Sequence, residues 1–251
     1  MIISFSDHWL QFFLLLIFFL LIIALFFYQP RWLLKIIIKV APGVKYFADT
    51  HEKIIAITID DGPHSVTTPK ILETLAKNEA IVTFFLISEH IKGNETIVEN
   101  IIKNGHEIGN HMIKDEKSIL LSPEDFEQEF LTADKVLNNF LSNNSSKVTW
   151  FRPGGGYYNY KMLDIVKRYN YKTVLGSIFP YDTHISYSNF ASYQILANLR
   201  PGAIIVLHDS GRDGNSGDWG ERTNITLNKI LPEIKNRGYR TVTLSEIFSR
   251  N

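Results

Sequence analysis

The chain has no cysteine among its 251 residues. Disulfides and thiol nucleophiles are thereby excluded, and any metal is left to His, Asp and Glu. Net charge is absent too: 26 Lys and Arg balance 26 Asp and Glu, so charge favours neither nucleic acid nor an acidic partner. No glycine-rich dinucleotide fingerprint follows any strand-like run, which argues against a nucleotide cofactor site. Internal repeats and low-complexity segments are also missing, residues 143–146 being only a polar loop. The length allows one α/β domain plus an appendage.

What is present begins with one long apolar run. Residues 9–28 are apolar except for Gln11, about what a hydrocarbon core of roughly 30 Å requires. No Lys or Arg precedes the run, and Leu25-Phe26-Phe27-Tyr28 is too bulky for a cleavage site. The expectation is a retained transmembrane anchor over residues 1–30 rather than a cleaved signal, with a buried core helix as the alternative. Residues 31–49 read as an amphipathic juxtamembrane segment and linker. Arg31, Lys35 and Lys39 fall four apart, a basic stripe suited to lipid headgroups or to a helix packed on the domain. A single-pass membrane protein follows. The positive charges after the run would put the domain in the cytoplasm, whereas the chemistry below serves an external polymer, and an extracytoplasmic domain is expected.

From residue 50 to 251, strand-like and helix-like segments alternate. Strands are predicted at 54–59, 81–87, 106–109, 148–151, 171–175, 203–207 and 240–243, with helices at 69–77, 96–103, 161–169 and 224–237. A further helix starts at Ser122-Pro123-Glu124-Asp125, a cap, a first-turn proline and acidic residues. Strict alternation implies parallel strands, in a barrel or an open doubly wound sheet.

The chemistry-bearing residues fall at strand ends. Asp60-Asp61-Gly62-Pro63 closes the first apolar run. Two adjacent carboxylates repel unless a metal or proton separates them, so Asp61 reads as a metal ligand and Asp60 as a general base, or the pair as a helix cap beside a solvated Asp. His111 and Asp115, four apart, can aim at one point as further ligands, or form an ordinary hydrogen-bonded pair. Arg152 opens Arg152-Pro153-Gly154-Gly155-Gly156-Tyr157. It can hold Asp60 ionised while the glycine backbone near Gly156-Tyr157 offers oxyanion donors, unless the segment is only a surface turn. His208 ends the run Ile204-Ile205-Val206-Leu207 and reads as a general acid or a buried structural histidine. Asp182 is placed to orient His208, to bind substrate or to be solvated. In a barrel these strand ends converge on one face.

Thr58-Ile59-Asp60-Asp61-Gly62-Pro63, His106-Glu107-Ile108-Gly109-Asn110-His111 and Leu207-His208-Asp209 together resemble the ordered motifs of the polysaccharide deacetylase family, also called NodB-homology or carbohydrate esterase 4. The resemblance covers residues 50–248. It implies a distorted (β/α)7 barrel and a metal-dependent hydrolase removing N-acetyl groups from a chitin-like or peptidoglycan-like glycan. Asp60 would be the base, Asp61 and His111 ligands of a divalent ion, most simply zinc, Arg152 the support of the base and His208 the acid. Three departures stand out. Asp115 occupies a position usually held by histidine, Gly154-Gly155-Gly156 interrupts the third motif, and Asp182-Thr183-His184 lacks the usual tryptophan. A carbohydrate-binding protein without catalysis and an amidase for small non-sugar amides are the rival expectations.

Overall fold

The computed structural model describes residues 5–114, 117–141, 147–211 and 218–250. Two helices, α1 (Phe5–Tyr28) and α2 (Arg31–Val40), lead into β1 (Val44–Lys45), β2 (Ile54–Gly62), α3 (Thr67–Lys77), β3 (Thr83–Leu86), α4 (Glu95–Lys103) and β4 (Glu107–Asn110). There follow α5 (Pro123–Asn139), β5 (Trp150–Phe151), α6 (Tyr160–Arg168), β6 (Lys172–Val174), α7 (Ser188–Asn198), β7 (Ile204–His208), α8 (Asp218–Asn236), β8 (Arg240–Thr241) and α9 (Leu244–Ser249). Strands pair in parallel in the order β1-β6-β5-β4-β3-β2-β7, with β8 beside the start of β2. Each of the seven predicted strands is found.

The sheet curls towards closure rather than lying open. Chain just after β6 crosses from one edge to the other: Leu175 N–H bonds to the Lys45 carbonyl at 2.8 Å, while Ile178 bridges to Ile205 of β7. Gly176 permits this passage, because a Cβ there would lie 2.3 Å from Val206 Cγ2. Phe47 adds an antiparallel bridge to Ala203. The result is a parallel-strand half-barrel, consistent with the (β/α)7 barrel that the family resemblance implied.

Side chains of β2 divide by the period of two that a strand imposes. Ile55, Ile57 and Ile59 join the core beneath the helices, whereas Ile54 and Ala56 meet Phe85, Trp150, Val174 and Ile204 inside the barrel. Carried forward, the same alternation turns Thr58 and Asp60 inward on β2, Arg152 just beyond β5, and His208 on β7. Helix α5 starts as expected, with Ser122 Oγ accepting the Asp125 N–H at 3.1 Å, a cap contributing about 1 kcal/mol.

The N-terminal expectations need correction. Among the described residues no helix is long and apolar enough to cross a membrane. The predicted transmembrane span is therefore not found. Nor is α2 a detached headgroup helix with a basic stripe. Leu34, Ile37 and Ile38 pack on Val44, Tyr46, Phe47 and Leu175, and the Arg31 guanidinium stacks over the Phe47 ring at 4.6 Å and bonds to the Pro201 carbonyl. Only Lys35 and Lys39 of the three basic residues face outward. The fold also begins before residue 50, since Val44 and Lys45 pair with Thr173 and Val174.

Candidate active site at the carboxyl ends of the strands

Adjacent residues on a strand normally face opposite sides, yet Asp60 and Asp61 line one cavity of about 430 Å³. A register shift against β3 between Asp60 and Gly62, with Asp61 at φ 70°, breaks the alternation. Asp is one of the few residues that tolerates this left-handed conformation. The turn is held from outside: Ser210 Oγ donates to the Asp61 carbonyl at 2.8 Å, and His90 Nδ1 lies 2.9 Å from the same oxygen.

Asp60 and Arg152 form a buried ion pair, Nη1 donating to Oδ1 at 2.6 Å. Every edge of the guanidinium is used. Nη1 also reaches Thr58 Oγ1 at 2.7 Å, Nε the Val174 carbonyl at 3.2 Å and Nη2 the Leu175 carbonyl at 3.4 Å, while its face lies 4.2 Å from the Phe85 ring centroid. Burial lowers the arginine below its ordinary range and Asp60 partly offsets this; an arginine keeps its charge regardless. This side chain is fixed, and it fixes Asp60.

Asp61 Oδ1 stands 3.2 Å from His111 Nε2, both side chains being buried. Nδ1 of His111 lies 2.7 Å from the Arg152 carbonyl, so in a neutral ring Nδ1–H donates there and Nε2 turns its lone pair on Asp61. Two such lone pairs repel unless a cation or proton lies between them. Two ligands about 2.0–2.1 Å from a tetrahedral ion stand roughly 3.3 Å apart, and a carboxylate with an imidazole suits zinc-like ions. The pair therefore fits a divalent metal. Among the described residues no group of three His, Cys, Asp or Glu gathers around one point, and the third expected ligand, Asp115, lies outside the described residues. Burial would raise the Asp61 carboxyl, but with His111 protonated at both ring nitrogens its hydrogen bond, together with the nearby His208 charge, outweighs burial and holds Asp61 below its ordinary value.

Across the cavity, His208 is in register with Asp60 and one quarter exposed (24 %). Asp182 Oδ2 accepts its backbone N–H at 3.0 Å, and Nδ1 lies 3.0 and 3.2 Å from the two Asp182 oxygens. Burial alone would lower the imidazole, yet the Asp182 charge and hydrogen bond, with Asp61 and Asp60 behind them, push it up to about 10. Trp219 meets the ring edge-on at 5.9 Å.

Six of the seven residues picked from the sequence are thus gathered here, and Asp182 has the orienting position. The glycine turn lines the cavity with Gly155 and Gly156 at positive φ, but Gly156 N–H is spent on the Pro153 carbonyl at 3.0 Å. Sequence reading missed Asp209, fully buried and accepting from Thr67 at 2.6 Å and from Thr68. Its place beside His208 was the available signal. Nothing in the sequence pointed to His90 or Ser210.

Comparison with known proteins shows the family of the chain. The polysaccharide deacetylase family matches residues 47–174. A peptidoglycan-N-acetylglucosamine deacetylase of Bacillus cereus is 36% identical over 217 residues, covering 86% of this chain and 97% of the relative. A chitooligosaccharide deacetylase of Azorhizobium caulinodans is 30% identical over 194 residues, 75% of this chain and 91% of that one. Among solved structures, a peptidoglycan N-acetylglucosamine deacetylase in complex with a naphthalenyl N-oxidanyl-benzamide superposes with a TM-score of 0.74 at 25% identity, over 82% of this chain and 92% of that one. A family 4 acetyl xylan esterase from Clostridium thermocellum, in complex with a cobalt ion, gives 0.70 at 26% identity, over 78% and 91%. This chain belongs to the polysaccharide deacetylase family of enzymes.

Proposed function

We propose that the chain is a metal-dependent deacetylase that removes the N-acetyl group from amino sugars of a chitin-like or peptidoglycan-like glycan. One observation carries the reading: a single cavity holds an arginine-clamped carboxylate, a carboxylate–imidazole pair and an aspartate-backed histidine, each suited to a different part of amide hydrolysis. The names of the relatives, peptidoglycan and chitooligosaccharide deacetylases, support the substrate class, and the cobalt-bound esterase supports a divalent ion.

Asp61 and His111, joined by Asp115, would hold that ion, zinc by donor chemistry. When bound it supplies Lewis acidity towards the acetamide carbonyl and the attacking water. Asp60, clamped and oriented by Arg152, takes the proton as water adds to the carbonyl carbon. The Tyr157 N–H, next to the committed Gly156, is the candidate oxyanion donor. His208 gives its Nε2 proton to the departing nitrogen, so that the C–N bond breaks to release acetate and a free amine. Nδ1 is engaged with Asp182, which fixes the tautomer and holds the proton at neutral pH.

The test is acetate release by the full chain from chitin oligomers, peptidoglycan fragments and a small amide, with chelator and then added zinc. Release from the glycans, lost with chelator and restored by zinc, is expected. Glycan binding without release would instead make this a carbohydrate-binding protein, and release confined to the small amide would make it an amidase.

The histidine gives a pH prediction. Its folded value of about 10 lies above the ordinary 6.5, so its proton stabilises the fold fully below pH 6.5, and this is lost as pH climbs through about 10. Activity that needs the imidazolium should fall over the same alkaline range. Asp182→Asn removes the largest force raising the value, and its alkaline limb should shift to lower pH with a reduced kcat. An unmoved limb would take Asp182 out of this role.

A further inference from the structure

The helix junction at Gln29 is bolted to the wall of the active-site cavity. Gln29 Nε2 donates to the Phe179 carbonyl at 2.7 Å, and its Oε1 accepts the Phe179 N–H at 2.8 Å. One side-chain amide thus closes a two-bond ring with a peptide 150 residues away. Phe179, Pro180, Tyr181 and Asp182 all line the cavity.

The loop needs such a brace. At its entrance, Ile178 is stitched to β7 by a 3.1 Å bond from Val206 N–H. At its far end, Asp182 accepts from the His208 backbone and ring. Between them Tyr181 sits at φ 58°, a conformation strained for an aromatic residue. Gln29 grips the chain at the intervening peptide. Its own position is set from the other side, where Arg200 donates to the Gln29 carbonyl and Asn198 to the Phe27 carbonyl at 2.8 Å. Residues 198–200 run directly into β7, the strand that ends in His208.

We propose that Gln29 is a positioning residue for catalysis: from the end of the N-terminal helix it fixes the 179–182 loop, and so the Asp182–His208 pair. The N-terminal segment then belongs to the catalytic unit through the Gln29 amide itself. The inference rests on the deacetylase reading for its kinetic half only.

The experiment compares the full chain with Gln29→Ala, Gln29→Glu and Asn198→Ala. The alanine retains the left-handed backbone cost of Gln29 (φ 40°) and loses both bonds to Phe179; the glutamate keeps the acceptor for the Phe179 N–H alone. Asn198→Ala loosens the same helix end without touching the loop. Hydrogen exchange across 179–185 should quicken about tenfold in Gln29→Ala, less in Gln29→Glu, and stay unchanged in Asn198→Ala. In glycan deacetylation, kcat should fall about five- to tenfold in Gln29→Ala with KM little altered, and be partly restored in Gln29→Glu. Unchanged exchange in Gln29→Ala, an effect on KM alone, or an equal loss of kcat in Asn198→Ala would each overturn the proposal. If the unaltered chain releases no acetate, the proposed function falls, while the exchange comparison still decides whether Gln29 holds the loop.

Discussion

Replacing Asp60 by asparagine lowers kcat by about 10²–10⁴-fold and leaves metal content and KM close to those of the unaltered chain. The substitution keeps the shape of the side chain and an oxygen for Arg152 Nη1, now 2.6 Å away, so the cavity wall stays in place. What disappears is the basicity that accepts a proton from water. Asp61 and His111 lie on the opposite branch of the site and keep their 3.2 Å approach, which is why metal content is spared. Asp61→Asn is the contrast, since it weakens one of the ligands directly. Steady-state kinetics with metal analysis of both variants separates the two adjacent carboxylates. Full turnover in Asp60→Asn, or metal loss equal to that in Asp61→Asn, would remove the division of roles.

Much of the site's placement was legible before any fold was known. The run 54–59 is apolar at every position but Thr58, as a strand buried on both faces must be, and Asp60, Arg152 and His208 each fall at the end of a predicted strand. Convergence of parallel strand ends supplied the rest. What escaped was of two kinds. Val44–Lys45 is a strand of two residues, too short for any period to show. Helix α7 buries polar side chains, Ser192, Gln194 and Asn198, among its apolar ones, which erases the stripe that marks a helix. The second kind is contact between distant segments through backbone atoms. His90 and Ser210 both reach the carbonyl of Asp61, and Gln29 grips the peptide of Phe179. A carbonyl is the same on every residue, so no sequence pattern announces such a partner. The apolar N-terminal run illustrates both sides. Its helix was correctly anticipated, but the crossing of a bilayer was not found, and the bonds that tie its end to the domain carried no signal.

Replacing Arg152 by methionine should be the most damaging single change to the fold near the site, costing about 3–5 kcal/mol together with nearly all activity. Methionine is close to arginine in length and can lie on the Phe85 ring, so little packing is lost. The penalty is electrostatic. Asp60, 3 % exposed, would be left buried without its arginine donor. A base no longer held in place cannot take the proton from water, and turnover is lost. Electrostatics and packing are separated by the double variant Asp60→Asn/Arg152→Met, in which neither charge remains. If the buried pair behaves as described, the double variant is more stable than Arg152→Met alone, with a coupling of about 1–3 kcal/mol between the two positions. Urea unfolding of the four proteins measures that coupling without any assay of activity. Strict additivity would mean that Arg152 holds its strand end through the Val174 and Leu175 carbonyls, and that Asp60 owes it nothing.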